Sequence, residues 1–468
     1  MREDIVKRMD YIFKPRSVAV IGASHDVNKW GGRILDRALR ADFQGKMYPV
    51  NPREKEIMNL AAYKDVRDIP GPVDLAVFTV PASQMPTLMK NCVEKGVRGG
   101  VIISAGFAET GEQGRALEEE TVRIAREGHL RFVGPNGNGI WSSAVGLNLS
   151  PTEPRIPGPV GFISQSGSFG GTANRIAVSR GFGFSKFISI GNQADLSAAD
   201  YLEYLGQDDD TKVIALYMEG FKNGPRFIEA AKHVVRQKPV LLYKGGSSIV
   251  GARATLSHTA SIAGSDAVFD GVCRQAGIIR VEQLEHLFVM AEALFSQPIP
   301  RGNRIAVLGN GGQGVVSSDN LIKLGMEVPE FTQEDQQRLK SILPAHAPNP
   351  RNPVDLAGAF IDTPGEVRII DMLASLPYID AVFTSVPREM SYKKTEEEKS
   401  REIADAGYAL GDIPHQYGKP IITLSWLPQK RMDVILKEVK IPVHSVIEDC
   451  VLSMSALVRY GEIRRKMN

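Results

Sequence analysis

A chain of 468 residues, 43% hydrophobic and 24% charged, has the balance of a folded globular protein of about three domains at roughly 150 residues each, and excludes a disordered or fibrous one. Its formal charge of +2, with Lys and Arg offset by Asp and Glu along the whole length, predicts neither a nucleic-acid footprint nor a polybasic membrane patch. No apolar run reaches the ~20 residues of a membrane span and the charged start MREDIVKRMDYIFKPRS lacks a signal-peptide core, so the expected location is cytoplasmic.

Short apolar runs closed by Gly or Pro recur at the start of the chain: VAVIG (18–22), MYPVNP (47–52), LAVFTVP (75–81), GVIISAGF (100–107) and RFVGPNG (131–137). Amphipathic stretches separate them. This is the pattern of a parallel sheet, whose buried strands are continuous Val/Ile-rich runs joined by helical crossovers. Residues 1–150 are therefore predicted to form a Rossmann-like domain, and proline-rich PTEPRIPGP (151–159) a linker. The alternation resumes in GFISQSG (161–167), KFISIGN (186–192), KVIALYMEG (212–220) and PVLLYKGG (239–246), predicting a second α/β domain over 155–295. After a break at SQPIPRGN (296–303), RIAVLGNGGQG (304–314), AVFTSVP (381–387) and PIITLSW (420–426) predict a third over 301–468. The charged run 388–403 reads as a solvated face. Cys92, Cys273 and Cys450 lie far apart without a CxxC pair, so no metal site or disulfide framework is expected; Cys273, set among apolar residues at helical spacing, reads as a buried thiol.

The first turn, IGASHDVNKWGGRIL (21–35), puts small residues, Gly22 and Ser24 among them, where a buried strand opens a helix. Backbone N–H groups and the helix dipole can receive a phosphate there. The turn is not GxGxxG and MYPVNP offers no acidic residue for a ribose, so NAD is disfavoured. Lys29 and Lys46 are either neutralisers of an adenosine phosphate or ordinary surface charges. Thr79–Val80–Pro81, Ser104–Ala105–Gly106–Phe107 and Pro135–Asn136–Gly137 fall on the carboxyl side of the predicted sheet, where open α/β folds bind ligands.

In SQSGSFGGT (164–172), Ser166, Gly167 and Ser168 form either an anion cradle at a helix start or an N-cap with a tight turn. Gly311, Gly312, Gln313 and Gly314 repeat that arrangement in the third domain. His258, in ATLSHTASIAGSDAVF (254–269), is the one histidine of eight set among small and hydroxyl residues without aliphatic periodicity. An imidazole with an unperturbed pKa of ~6.5 is largely neutral at physiological pH and can attack phosphorus. Glu219, closing YMEG, is either a strand-end cap or the acceptor of a histidine Nδ1–H, which would leave Nε2 free to react.

The ordered motifs VAVIGAS, YPVNP, ISAGF, VGPNGNGI, FISQSGSFG, YMEG, SHTASIAGS and VLGNGGQG resemble, over nearly the whole chain, the succinyl-CoA synthetase superfamily, and most closely the α subunits of NDP-forming (ADP-forming) acyl-CoA synthetases. The resemblance implies an α/β fold: a Rossmann-like CoA-binding domain followed by two flavodoxin-like domains of succinyl-CoA-synthetase type. It implies CoA or acetyl-CoA near Gly22, Ser24, Lys29, Lys46, Asn51, Pro52, Val80, Pro81, Ser104, Gly106 and Asn136. His258 becomes the phosphorylated residue and Glu219 its partner, with Ser166–Gly167–Ser168 and Gly311–Gly312–Gln313–Gly314 as two phosphate-stabilising helix starts. The implied reaction converts acyl-CoA, ADP and phosphate reversibly into a carboxylic acid, ATP and CoA through acyl phosphate and phosphohistidine. Because no segment reads as an ATP-grasp fold, a β subunit carrying one is expected, with Mg²⁺ beside its ADP or ATP and an α2β2 assembly. The alternatives are a succinyl-CoA synthetase α subunit, which is typically shorter, and a non-catalytic CoA-binding regulator, which has no need of a phosphorylatable loop.

Overall fold

The computed structural model describes residues 2–152, 156–248, 250–251, 266–358, 361–387, 394–425 and 430–467. They fall into two compact units, Met1–Leu284 and Glu285–Asn468.

The first unit opens with strands β1 (Ser17–Ile21) and β2 (Lys46–Val50), a hairpin of β3 (Glu56–Ile57) and β4 (Leu60–Ala61), and then β5 (Leu75–Phe78), β6 (Gly99–Ile102) and β7 (Arg131–Val133). Apart from the hairpin these make one parallel sheet in the order β2-β1-β5-β6-β7. Every residue of β1, β5 and β6 is buried, which is why their sequences are unbroken apolar runs instead of alternating ones. Met85, Met89 and Cys92 of the helix Met85–Lys95 pack on Ala19, Phe78 and Phe132, each large side chain contributing about 1.5–3 kcal/mol of burial.

A second sheet follows from β8 (Ile140–Ser142), β9 (Leu147–Leu149), β10 (Pro157–Ser164), β11 (Phe184–Ser189), β12 (Val213–Met218), β13 (Val240–Lys244) and β14 (Ile279–Val281). Its order is β14-β13-β12-β10-β11-β8-β9, parallel except at β8 and β9. Residues 140–149, expected within the 1–150 domain, thus form an antiparallel flap that covers the β11 edge and leaves no long unpaired strand there. A buried carboxylate ties the two sheets: Asp195 accepts from Arg126 Nε at 2.9 Å, Arg131 Nε at 2.8 Å and the Phe132 backbone at 3.1 Å.

In the second unit, β15 (Ile305–Gly309), β16 (Val354–Asp355), β17 (Ala381–Ser385), β18 (Ile421–Leu424) and β19 (Val443–His444) form a parallel sheet in the order β16-β15-β17-β18-β19. The helix Leu284–Ser296, which the sequence pattern assigned to 155–295, falls almost wholly in this unit. It buries residues nearly all round, Leu287 through Ala291, and its Val289 carbonyl accepts from Ser453 Oγ at 3.3 Å. The predicted burial of Cys273 is seen, and desolvation pushes its thiol up to about 12. Among the described residues no helix is long and apolar enough to cross a membrane.

All three parallel sheets share one topological property. From β1 the chain adds β2 on one side and β5 on the other, and it does the same from β10 to β11 and β12 and from β15 to β16 and β17. The crevice beyond the carboxyl ends at such a reversal is where open α/β sheets receive ligands.

Candidate functional site

In the first unit, the carboxyl ends of β5, β6, β7, β10 and β11 and the start of the helix Trp30–Leu39 border a cleft of about 380 Å³. Of the predicted residues, Ser104, Asn136, Ser166, Gly167 and Ser168 line it. Thr79, at another predicted strand end, and Trp30, Asn138, Gln165 and Asn192 line it as well, and among the described residues the lining includes no Lys, Arg, Asp or Glu. The polar groups on this lining are hydroxyls, side-chain amides and backbone amides. Such donors gain strength when water is excluded.

The turn after β1, which does not line the cleft, is built by close backbone approach. Gly22 has φ +89°, and a Cβ on it would lie 2.8 Å from Thr79 Oγ1 and 2.8 Å from Val80 Cγ1, so a side chain is barred twice over. Asn51 joins the ends of β1 and β2: its Nδ2 donates to the Ala23 carbonyl at 2.8 Å and its Oδ1 accepts from Arg53 N at 2.9 Å. Pro52 follows in that turn. Ser24 Oγ accepts from Asp26 N at 3.1 Å, and exposed Lys29 stands at the N-cap of the helix Trp30–Leu39. Ser104 Oγ donates to the Val80 carbonyl at 2.5 Å, and Pro81 leads the short turn Ala82–Gln84. The Gly106 N–H is already taken, donating to Glu109 Oε1 at 2.6 Å. Lys46 does not join this group: it pairs with Ser17 at the amino ends of β2 and β1, the opposite edge of the sheet. A broader groove of about 1060 Å³ lies at that edge, lined by Arg16, Arg37, Arg40 and Trp141, and none of the predicted residues lines it.

The rim of the cleft carries acidic groups. Burial alone would raise the Glu109 carboxyl, but hydrogen bonds from Asn192 and from the Gly106 and Phe107 backbone outweigh it and hold the group below the usual range. Asn192 Nδ2 also donates to Glu118 at 2.9 Å. Lys222, 3.8 Å from Glu118, is depressed by burial against that attraction.

At the second reversal, Ser166 caps the helix Gly167–Ser179, its Oγ accepting from Phe169 N at 3.5 Å and lying 3.4 Å from Ser168 Oγ. The N-cap reading of this turn is seen, and the same hydroxyls and glycine line the cleft. A Cβ on Gly167 would sit 2.5 Å from Asn138 Cγ, so glycine is needed for space. Glu219, 5% exposed, ends β12 next door, and its Oε1 accepts from Tyr217 Oη at 3.2 Å. Burial, then the Glu219 charge, pushes the Tyr217 phenol well up, keeping it a donor. Tyr217 in turn stacks on Phe169 with ring centroids 3.9 Å apart. Gln165 links the two walls, accepting from Glu219 N at 2.9 Å and Gly220 N at 3.2 Å. His258 lies outside the described residues.

In the second unit, Gly311 adopts φ +50° before the helix Gly312–Lys323, and its N–H donates to Asp355 Oδ1 at 2.8 Å. Gln313 Oε1 is 3.5 Å from Ser385 Oγ at the end of β17, and Gly314 faces Pro353, whose Cβ would be 3.2 Å from an added Cβ. Trp30, Asn138, Gln165 and Asn192 had been passed over in the sequence. Their signal was adjacency, since each stands within or beside a turn already singled out.

Comparison with known proteins agrees with this geometry. Residues 16–142 match the model of a CoA binding domain, and residues 157–294 match a succinyl-CoA ligase like flavodoxin domain. The chain is 39% identical to the acetate–CoA ligase [ADP-forming] II subunit alpha of Pyrococcus furiosus, over 97% of this chain and 98% of that relative. It is 40% identical to the acetate–CoA ligase [ADP-forming] II of Archaeoglobus fulgidus, where the match covers 75% of this chain and 53% of the relative. A solved structure of the dinucleotide-forming acetyl-coenzyme A synthetase 1 of Ca. Korarchaeum cryptofilum, in complex with phosphate and ADP, superposes with TM-score 0.87 at 33% identity over 98% of each chain. A CoA-binding fold, a ligase fold and a full-length match at this identity lead to one conclusion: the chain belongs to the ADP-forming acetate–CoA ligase family, in the superfamily of succinyl-CoA synthetase.

Proposed function

We propose that this chain is the α subunit of an ADP-forming acyl-CoA ligase that works through acyl phosphate and a phosphohistidine at His258. One observation carries the reading: a buried carboxylate, Glu219, stands at the same sheet reversal as a helix start with no charged side chain, Ser166–Ser168, on the wall of a cleft whose other wall is the CoA-binding fold. In the first step a phosphate oxygen attacks the thioester carbonyl, the C–S bond breaks, and the thiolate of CoA takes a proton. Next, Nε2 of His258 attacks phosphorus, the bond from phosphorus to the acyl oxygen breaks, and the carboxylate departs. Glu219 would accept the Nδ1–H, fixing the tautomer and stabilising the ring while it carries charge. Hydroxyl and N–H donors at the helix start would hold the phosphoryl oxygens in both steps.

The phosphoryl group then passes to ADP on a β subunit with an ATP-grasp fold, in an α2β2 assembly in the cytoplasm. Mg²⁺ accompanying the nucleotide would supply charge neutralisation on that partner. The Archaeoglobus relative, about twice the matched length, supports a separate second part. The third sheet, within a match that spans the whole Pyrococcus subunit, favours this reading over a shorter succinyl-CoA synthetase subunit.

The test is chemical. Incubated with acetyl-CoA and radiolabelled phosphate, the chain should acquire acid-labile, alkali-stable label, and His258→Ala should abolish it. Intact CoA binding without any label in the wild type would favour a regulator and end this proposal.

A further inference from the structure

We propose that the side-chain amide of Gln165 has two tasks: its oxygen holds the Glu219 turn in place, and its NH2 donates to an oxygen of the anion bound at the Ser166–Ser168 helix start. Gln165 is 6% exposed and follows the last residue of β10, with its own backbone N–H donating to the Tyr217 carbonyl at 3.0 Å. From there its Oε1 reaches across to the β12 end and accepts two backbone donors, Glu219 N at 2.9 Å and Gly220 N at 3.2 Å.

Two N–H donors on one atom determine which way the amide faces, because the flipped rotamer would set NH2 against both of them. The NH2 is therefore turned away from the Glu219 turn. No described residue accepts a hydrogen bond from it, while Gln165 lines the cleft beside Ser166, Gly167 and Ser168. A partly buried amide donor with no protein acceptor, next to a capped helix start and away from any lining cation, is suited to a phosphate or acyl-phosphate oxygen. The same side chain thus couples the carboxylate proposed to orient His258 to the anion that His258 would attack. This inference deepens the reading above, since it takes the helix start as the phosphate-holding part of that site.

Two variants separate the tasks. Gln165→Glu keeps an acceptor for both backbone N–H groups but replaces the donor with negative charge, whereas Gln165→Met removes both. Inorganic phosphate would be titrated calorimetrically into the full chain, and His258 labelling from acetyl-CoA and radiolabelled phosphate followed in parallel. Gln165→Glu should weaken phosphate binding by about tenfold or more. Its phosphate affinity relative to wild type should recover as pH falls into the carboxylic acid range, where protonation restores a donor. Gln165→Met should lose both binding and labelling without that recovery. Phosphate affinity in Gln165→Glu equal to wild type overturns the inference, whether or not label appears. Phosphate binding that depends on Gln165 in a wild type that takes no label would instead overturn the reaction and leave the amide donor standing.

Discussion

The two glycine-rich helix starts look alike in sequence and are built differently. At Ser166–Gly167–Ser168 the turn is packed: a hydroxyl caps the helix, and glycine is present because Asn138 occupies the place of a side chain. At Gly311–Gly312 the turn is open, without a side-chain cap, and among the described residues an added Cβ on either glycine would meet nothing within 4 Å. There Gly311 is required by its φ of +50°, and Asp355 anchors its N–H. One start uses glycine for room, the other for backbone freedom.

The sharpest way to break this comparison is Gly167→Ala. The new methyl must displace Asn138, costing about 1–3 kcal/mol by overpacking, and urea unfolding of the first unit should register it together with slowed His258 labelling. Gly311→Ala should cost about 1–2 kcal/mol through φ alone, reported by the second unit, with no shift elsewhere. Gly312→Ala sits at the first helical position with open space, so stability should rise or stay within about 1 kcal/mol. Labelling that falls while stability holds would give Gly312 a part in the reaction beyond its part in stability. A loss of stability at Gly312 as large as at Gly167 would remove the distinction.

Acid provides a smaller test confined to the first unit. Glu109 is held below the usual value of 4.5, so its contribution to stability is complete above that value and is lost as pH falls through the folded one. Glu109→Gln should accordingly flatten the acid limb of the stability curve and leave the region above neutrality unchanged, as read by denaturant midpoints across pH. An unaltered acid limb would mean that the hydrogen bonds from Gly106, Phe107 and Asn192 do not stabilise the folded carboxylate.

The parallel sheets were legible because buried strands must be continuous apolar runs: VAVIG holds all but the first residue of β1, LAVFTVP all of β5 and GFISQSG the second half of β10. The carboxyl-edge turns were legible for the same reason, since direction follows from strand–turn–helix order. What escaped was short or long-range. β8 and β9 are three residues each, too brief for any periodicity, and only pairing with β11 makes them strands. Lys46 reads as near the ligand turn in sequence, yet a five-residue strand separates it from that edge. Gln165 looked like one polar residue among serines; its partners lie 54 and 55 positions away, a distance no local pattern spans. The role of His258 rests on the motif around it.

Asp195 has a consequence for how such a relay could operate. Three donors from the first sheet and its flanking helix converge on a carboxylate carried by the second, so separating the sheets would strand a desolvated charge. The cleft proposed to receive thioester and phosphate is thus a riveted mould and not a pair of jaws.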